Sequence, residues 1–362
     1  MNATTRKLPA ALLATALVMV MAACSGASQA ATADPSDAKQ DKGPATKVTV
    51  GYYANVTHAP ALVGVGGGYF ARELGSTQLG TEIFNAGPAE LEALNAGAID
   101  VAFIGPSPAI NGYVKSHGQA LRIVAGAASG GASLVVRDGI TSAADLKGKK
   151  IADPQLGGTQ DVALRVWLKS QGLKADLHGG GDVQVTPTDN AQTLQLFKSG
   201  QLDGGWLPEP WASRLVLDAG AHVLVDEKDL WPGGKFVTTN VIVRTQFLAE
   251  HPETVEAVLK GELDAIAALQ SDPAGSAKIV NDQIAAASGK PLSQDVLDSA
   301  FKNLVFTADP IASTLQTQLD HTVEAGITTK ANLDGIYDLR LLNKALASAG
   351  QPKVSASGLG EE

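Results

Sequence analysis

The chain writes one short pattern twice. Glu90–Ala109 reads ELEALNAGAIDVAFIGPSPA, and Thr193–Ala212 reads TLQLFKSGQLDGGWLPEPWA. Aligned without a gap, the copies match at Leu91/Leu194, Gly97/Gly200, Asp100/Asp203 and Ala109/Ala212, with Phe103 set against Trp206 and Ile104 against Leu207. Each copy is an apolar helical stripe, a Gly where a helix stops, a short apolar strand and a Pro-bearing turn into another helix. Two such units imply two lobes of similar α/β construction. Each lobe then presents a strand-to-helix loop at the carboxyl edge of its sheet, where open α/β sheets bind ligands.

The amino terminus has to be set aside before any fold is read. Arg6 and Lys7 precede the apolar run Ala10–Ala22, which is shorter than the roughly 20 apolar residues of a membrane span. The run ends in Met21-Ala22-Ala23-Cys24-Ser25-Gly26, which resembles the lipobox of bacterial lipoproteins, where cleavage leaves a diacylglycerol-bearing Cys as the first residue. Residues 1–23 are therefore expected to be a signal peptide and Cys24 a lipidation site. Cys24 is the only cysteine of the chain, so no internal disulfide is available. Residues 24–46, rich in Ala, Ser, Asp, Lys and Gly without apolar period, are expected to form a flexible tether. Lipid chains plus a tether would hold the rest of the protein outside the cytoplasm, at the cell membrane.

The formal charge is −9, with no basic tract or basic–aromatic stripe, which argues against nucleic acid as a partner. The remaining length suffices for two cores. Strands are expected at Lys47–Tyr52, Thr81–Phe84, Val101–Ile104 and Leu121–Ala127, and in a second sheet at Lys150–Ala152, Val183–Val185, Gly204–Leu207 and Val223–Val225. Helices alternate with them, which favours mainly parallel sheets. Leu134–Arg137 and its echo Val241–Arg244 read as a two-strand hinge, one leaving the first lobe and one returning. The helical runs Pro252–Leu269, Ala274–Ala287, Gln294–Leu304 and Leu333–Ala347 would pack back on the first lobe. The expected layout is lobe 1 at 47–137 and 241–350, lobe 2 at 138–240, and a disordered tail at 351–362.

Four helix starts follow strands and carry Gly, Pro or a hydroxyl: Thr57-His58-Ala59, Gly105-Pro106-Ser107, Gly157-Gly158-Thr159-Gln160-Asp161 and Thr188-Asp189-Asn190. A first helical turn has unpaired N–H groups and a partial positive charge, so starts that share a cleft form an anion site without Lys or Arg. Tyr52, Tyr53 and Asn55 follow the first strand and would line the facing wall. His58 reads either as a donor to an anion or as a hydrogen-bonded helix-start residue. In Trp206-Leu207-Pro208-Glu209-Pro210-Trp211, Trp206 reads equally as core or as ligand surface. Glu209, between prolines, would meet an amine or hold a closing loop. The remaining histidines share no ligand spacing, so no metal is assigned, and no cofactor motif is present.

With these residues in view, the chain resembles the substrate-binding lipoproteins of the aliphatic sulfonate, taurine and nitrate class of ABC importers. The likeness rests on VGYYANVTHAPALVG (Val50–Gly64), FNAGPAELEALNAGAIDVAFIGPSPA (Phe84–Ala109), VAGAASGGASLVV (Val124–Val136), PQLGGTQDVALRVWL (Pro154–Leu168) and DGGWLPEPWASRL (Asp203–Leu215). It implies an α/β, bilobed periplasmic-binding-protein type II fold. It also implies a monomer that closes on a small organic anion and delivers it to an ABC permease and ATPase. By the same resemblance the ligand contacts would be Tyr53, Asn55, His58, Pro106, Ser107, Gly130, Gly131, Thr159, Gln160, Trp206 and Glu209. No Arg or Lys falls among them, which puts nitrate and bicarbonate below a sulfonate with an organic part; an aliphatic sulfonate is the first expectation, with taurine, nitrate, bicarbonate or a thiamine precursor as the alternatives on the same fold. An enzyme of the same fold, desulfinase-like, is the alternative of another class.

Overall fold

The computed structural model describes residues 41–362. The expected signal peptide, Cys24 and most of the expected tether lie outside the described residues. Among the described residues, no helix is long and apolar enough to cross a membrane.

Among the described residues, thirteen strands occur in chain order: β1 (Lys47–Tyr53), β2 (Gln78–Phe84), β3 (Val101–Ile104), β4 (Leu121–Gly130), β5 (Ala132–Val136), β6 (Lys150–Asp153), β7 (Gln184–Pro187), β8 (Gly204–Pro208), β9 (His222–Asp226), β10 (Val237–Arg244), β11 (Leu304–Phe306), β12 (Tyr337–Asp338) and β13 (Gly360–Glu361). They build two sheets. The first runs β13-β12-β4-β10-β3-β1-β2, with β11 added against β4, and the second runs β7-β6-β8-β5-β9. In the first, β1 pairs in parallel with β2 and β3, while β10 enters antiparallel between β3 and β4. In the second, β6 pairs in parallel with β7 and β8, while β5 enters antiparallel between β8 and β9. The two sheets thus share one plan, a parallel triplet closed by an antiparallel strand. Each lobe takes that strand from the stretch of chain crossing to or from the other lobe.

The repeated sequence accounts for this equivalence down to single hydrogen bonds. The helix Gly87–Asn95 and the helix Asn190–Lys198 each end at a glycine with positive φ, Gly97 at 72° and Gly200 at 76°, where a side chain would be strained. Beyond each glycine an Asp ties the unit to its sheet. Asp100 accepts from Thr49 N (3.0 Å) and pairs with Arg244 (2.8 Å). Asp203 accepts from Lys150 N (2.9 Å) and pairs with Arg137 (3.4 Å). The arginines end β10 and follow β5, so the echo Val-Arg at 136–137 and 243–244 marks equivalent strands.

That equivalence corrects the expected hinge. Leu134–Val136 hydrogen-bonds to β8 on one side and β9 on the other, and Val241–Arg244 lies between β3 and β4. Both are interior sheet strands whose backbone groups are committed within one lobe. The chain instead crosses at Gly130-Gly131, at φ 79° and 71°, and returns through Trp231–Phe236, where Gly233 and Gly234 also have positive φ. The ends differ from expectation as well. Residues 351–362 are packed: β13 pairs with β12, Ala356 is fully buried, and Asn343 brackets Val354 through both its amide atoms. The last tether residues dock on the first lobe, with Ala45 N donating to Thr254 Oγ1 (2.8 Å) and Thr77 Oγ1 donating to Ala45 O (2.6 Å).

Helices cover both faces of each sheet, so the central strands read as continuous apolar runs. Val101–Ile104 is buried at every position. The first lobe has one large core containing Phe70, Phe103, Ile104, Ile123 and Val241. The second has one cluster on each face of its sheet, around Leu134 and Trp206 on one side and around Phe197 and Leu207 on the other.

Candidate ligand-binding site

A small cavity of about 30 Å³ lies between the carboxyl edges of the two sheets. Its wall is made by Tyr53, Asn55, Thr57, His58, Asn85–Gly87, Gly105, Pro108 and Thr238–Thr239 from the first lobe, and by Pro154, Gly158–Gln160, Asn190 and Pro208 from the second. No lining residue is an Asp, Glu, Lys or Arg. All four expected helix starts contribute, through Thr57-His58, Gly105, Gly158-Thr159 and Asn190. A fifth, which the sequence reading missed, is the start of the helix Gly87–Asn95. The strand β2, the Asn85-Ala86-Gly87 turn and Pro88 at the helix start form the same signal as the other four.

Several buried polar atoms at or beside this cavity have no hydrogen-bond partner in the protein: Ser107 Oγ, Thr159 Oγ1 and Asn190 Oδ1. Buried polar groups are normally paired, so such a group of orphans calls for a partner from outside the chain. His58 adds a donor of defined state. Its Nδ1 accepts from Tyr53 N (3.3 Å), its ring lies 4.1 Å from the Tyr53 ring, and burial pushes its pKa down to about 3. The imidazole is therefore neutral, with the proton on Nε2. Behind Tyr53 lies Glu90, fully buried. Burial, then the Glu90 carboxyl, raises the Tyr53 phenol well above its ordinary pKa, and burial likewise raises Glu90. Burial and then Asp161 hold Asp153, behind Pro154, well above the usual carboxylate range. Glu90 and Asp153 are thus held toward their neutral forms, while Asp161, next to the lining residue Gln160, is paired with Arg165. The electrostatics of the wall come from N–H and O–H dipoles, which suits an oxyanion.

The expected site residues divide. Tyr53, Asn55, His58, Thr159 and Gln160 line the cavity. Pro106 and Ser107 sit between the lining residues Gly105 and Pro108, with Ser107 fully buried. Gly130 and Gly131 do not line it; they form the crossing, where Gly130 O accepts from Thr238 Oγ1 and Gly131 O accepts from Glu209 N. Trp206 is fully buried in the second lobe, its Nε1 donating to Glu227 Oε2 (2.7 Å). Its side chain is core, because the strand's alternation points it to the face opposite Leu207. Glu209 is a bridge between the lobes. Its carboxylate accepts from Ser213 N (3.1 Å) and Ser213 Oγ (2.9 Å), and from Asn303 Nδ2 (2.7 Å) across the cleft.

Further bonds close the cleft. Trp211 Nε1 donates to Asn55 Oδ1 (2.8 Å), and the Ser213 and Ser299 hydroxyls lie 2.8 Å apart. The approach is close enough that a Cβ at Gly105 would lie 2.2 Å from Thr159 Oγ1. The lobes are in the closed arrangement.

Equivalent α/β lobes meeting over a polar cavity define the periplasmic-binding-protein type II fold. Residues 41–284 match the NMT1-like family, and the chain belongs to that family. It is 32% identical to a Brucella abortus binding protein over 186 residues, 49% of this chain and 53% of that protein, so the match spans about half the relative's length. It is 28% identical to the taurine-binding periplasmic protein of Escherichia coli, over 61% of this chain and 66% of that one. The alkanesulfonate-binding protein of Xanthomonas axonopodis, solved bound to MOPS, superposes with a TM-score of 0.66 at 23% identity, covering 79% of this chain and 95% of that chain.

Proposed function

We propose that the protein is the extracytoplasmic solute-binding component of an ABC importer. It captures a small organic anion, an aliphatic sulfonate in the first instance, between its lobes and delivers it to the permease. The observation that carries this reading is the uncharged cavity itself, ringed by helix starts and by hydroxyls that lack a partner in the chain. A sulfonate has three acceptor oxygens and one charge, so it takes several N–H and O–H donors at once and needs no counter-ion. The names of the relatives point the same way, as do the secretory and lipobox-like features at the amino terminus, which would anchor the protein through Cys24.

Closure would be driven by the ligand's differential affinity, because only the closed state presents donors from both lobes together. A desulfinase-like enzyme would need a nucleophile at the cavity, and the one thiol of the chain is Cys24, outside the described residues. Titration calorimetry with methanesulfonate, taurine, nitrate and bicarbonate tests the proposal. Saturable binding of a sulfonate, with the other anions weaker, is the expected result. No heat from any of them would overturn it.

A further inference from the structure

One buried acid beside the cavity takes no part in the hydrogen bonds of the fold. Glu90 lies on the helix Gly87–Asn95 with no exposure to solvent, and neither of its carboxyl oxygens has a partner elsewhere in the chain. Its counterpart in the repeated sequence is Thr193, equally buried, whose hydroxyl donates to Thr188 O (3.2 Å) and is satisfied within its own lobe. The second copy of the unit therefore folds without an acid at this position.

Two glycines show where the Glu90 carboxyl lies. A Cβ at Gly51 would stand 2.8 Å from Glu90 Oε1, with Ile99 Cδ1 at 2.7 Å and Phe84 Cε2 at 3.1 Å. Gly51 is two residues before Tyr53 on β1, so both face the same side of the sheet. A Cβ at Gly87 would stand 3.2 Å from Tyr53 Oη, and Gly87 lies one helical turn before Glu90. The phenol and the carboxyl thus meet beneath the first turn of the helix, within hydrogen-bonding reach of each other. Tyr53, Gly87 and Pro108 line the cavity, so the phenol has the cavity on one side and the carboxyl on the other.

The remaining neighbours, Gly51, Ile99 and Phe84, offer the carboxyl no charge and no donor. A lone carboxylate is too costly to bury in such a place, so Glu90 carries its proton. The proton sets the direction of the bond to Tyr53. A carboxylate only accepts, whereas a carboxylic acid has an O–H to give. Beside a carboxylate, Tyr53 would spend its one O–H on Glu90 and present lone pairs to the cavity. Beside the acid, the phenol oxygen accepts and its O–H stays free, and hydrogen bonds in such a chain strengthen one another.

Resting on the function proposed above, we infer that Glu90 is a positioning residue: its carboxylic acid donates to Tyr53 Oη and turns the phenol O–H toward the ligand, so that Tyr53 meets an anion as a donor.

The test is calorimetry of the full mature protein with methanesulfonate, taurine, nitrate and bicarbonate, the variants being compared on the tightest of the four. Glu90→Leu puts an apolar group of similar size in place of the acid. It is expected to lower affinity about three- to tenfold while the unfolding midpoint of the ligand-free protein stays level or rises, since an acid poorly paired in the chain has been removed. Glu90→Gln, whose amide also donates, is expected to recover most of that loss. In a Tyr53→Phe protein, itself weakened roughly tenfold or more, Glu90→Leu is expected to cost less than about twofold. Infrared difference spectra give a second readout that does not need Glu90→Leu to fold. Adding the anion to the parent should shift a protonated-carboxyl C=O band that Glu90→Gln lacks. A Glu90→Leu affinity within about twofold of the parent's, an equal loss with and without the Tyr53 hydroxyl, or the absence of that band would overturn the relay and leave the anion site intact. If the parent binds none of the four anions, the function proposal and the relay are overturned together.

Discussion

A single added methyl group at Gly105 should hold the cleft ajar. Gly105 has φ −68° and ψ 155°, a conformation that alanine adopts without strain, so Gly105→Ala changes no backbone preference. The new Cβ would lie 2.2 Å from Thr159 Oγ1 and 3.2 Å from Thr159 Cβ, on the opposite lobe. Ordinary contact needs roughly 3.5 Å, so the lobes must separate by about an ångström or Thr159 must give way. Separation stretches the closing bonds Trp211–Asn55 (2.8 Å), Asn303–Glu209 (2.7 Å) and Ser213–Ser299 (2.8 Å) beyond hydrogen-bond range. At a net 0.5–1.5 kcal/mol each, their loss costs the closed state about 1.5–4.5 kcal/mol, or roughly a 12- to 1,600-fold loss of affinity. Calorimetry with a short sulfonate measures it, and solution scattering follows the opening of the lobes. The Thr159→Ala background isolates the cause, because removing Oγ1 should reduce the effect of Gly105→Ala to less than about threefold. A Gly105→Ala protein that binds within twofold of the parent would refute the argument that closure at this contact is needed for binding.

Other consequences can be measured separately. Burial pushes Glu227 to about 7, above the ordinary 4.5. The folded protein therefore keeps a proton that the unfolded chain releases, and stability falls by about 3 kcal/mol as pH rises from about 4.5 to about 7. Glu227→Gln should lack that part of the decline, read by urea unfolding at pH 5 and pH 8; an equal decline in both proteins would refute it. Because His58 sits near pKa 3 as a neutral donor, ligand affinity should change less than about threefold between pH 5 and pH 8. A tenfold gain at the acid end would mean that the imidazole binds as a cation. Asn303→Ala removes the partner across the cleft from Glu209 and should weaken ligand binding about three- to tenfold, with little change in the unfolding midpoint of the ligand-free protein. Asp100→Ala and Asp203→Ala should each destabilise by about 1–3 kcal/mol, since each leaves a strand N–H and an arginine without the same partner.

The two-lobe architecture was legible because it is written in local patterns that the chain states twice. Helix, glycine, strand and Pro-bearing turn at 90–109 and 193–212 are set by nearest-neighbour chemistry, and the Gly and Asp matches do the same work in both lobes. The helix starts are legible for the same reason, and Asn85-Ala86-Gly87-Pro88 carries the same local signal. Long-range pairing was not legible. Val-Arg at 136–137 and at 243–244 reads as a pair, yet nothing local says that each strand lies inside a sheet. Its partners, β8 and β9 for one and β3 and β4 for the other, are brought up by distant parts of the chain.

The site follows the same division. The sequence by itself determined that donors without cations would gather at strand ends, because capping and strand termination are decided within a few residues. Only the tertiary structure decided which side chains face the cavity. Trp206 turned inward to meet Glu227, and Glu209 turned to Asn303 across the cleft. Those choices depend on which distant group offers a hydrogen bond once the lobes are folded and closed, and no run of neighbouring residues encodes that geometry.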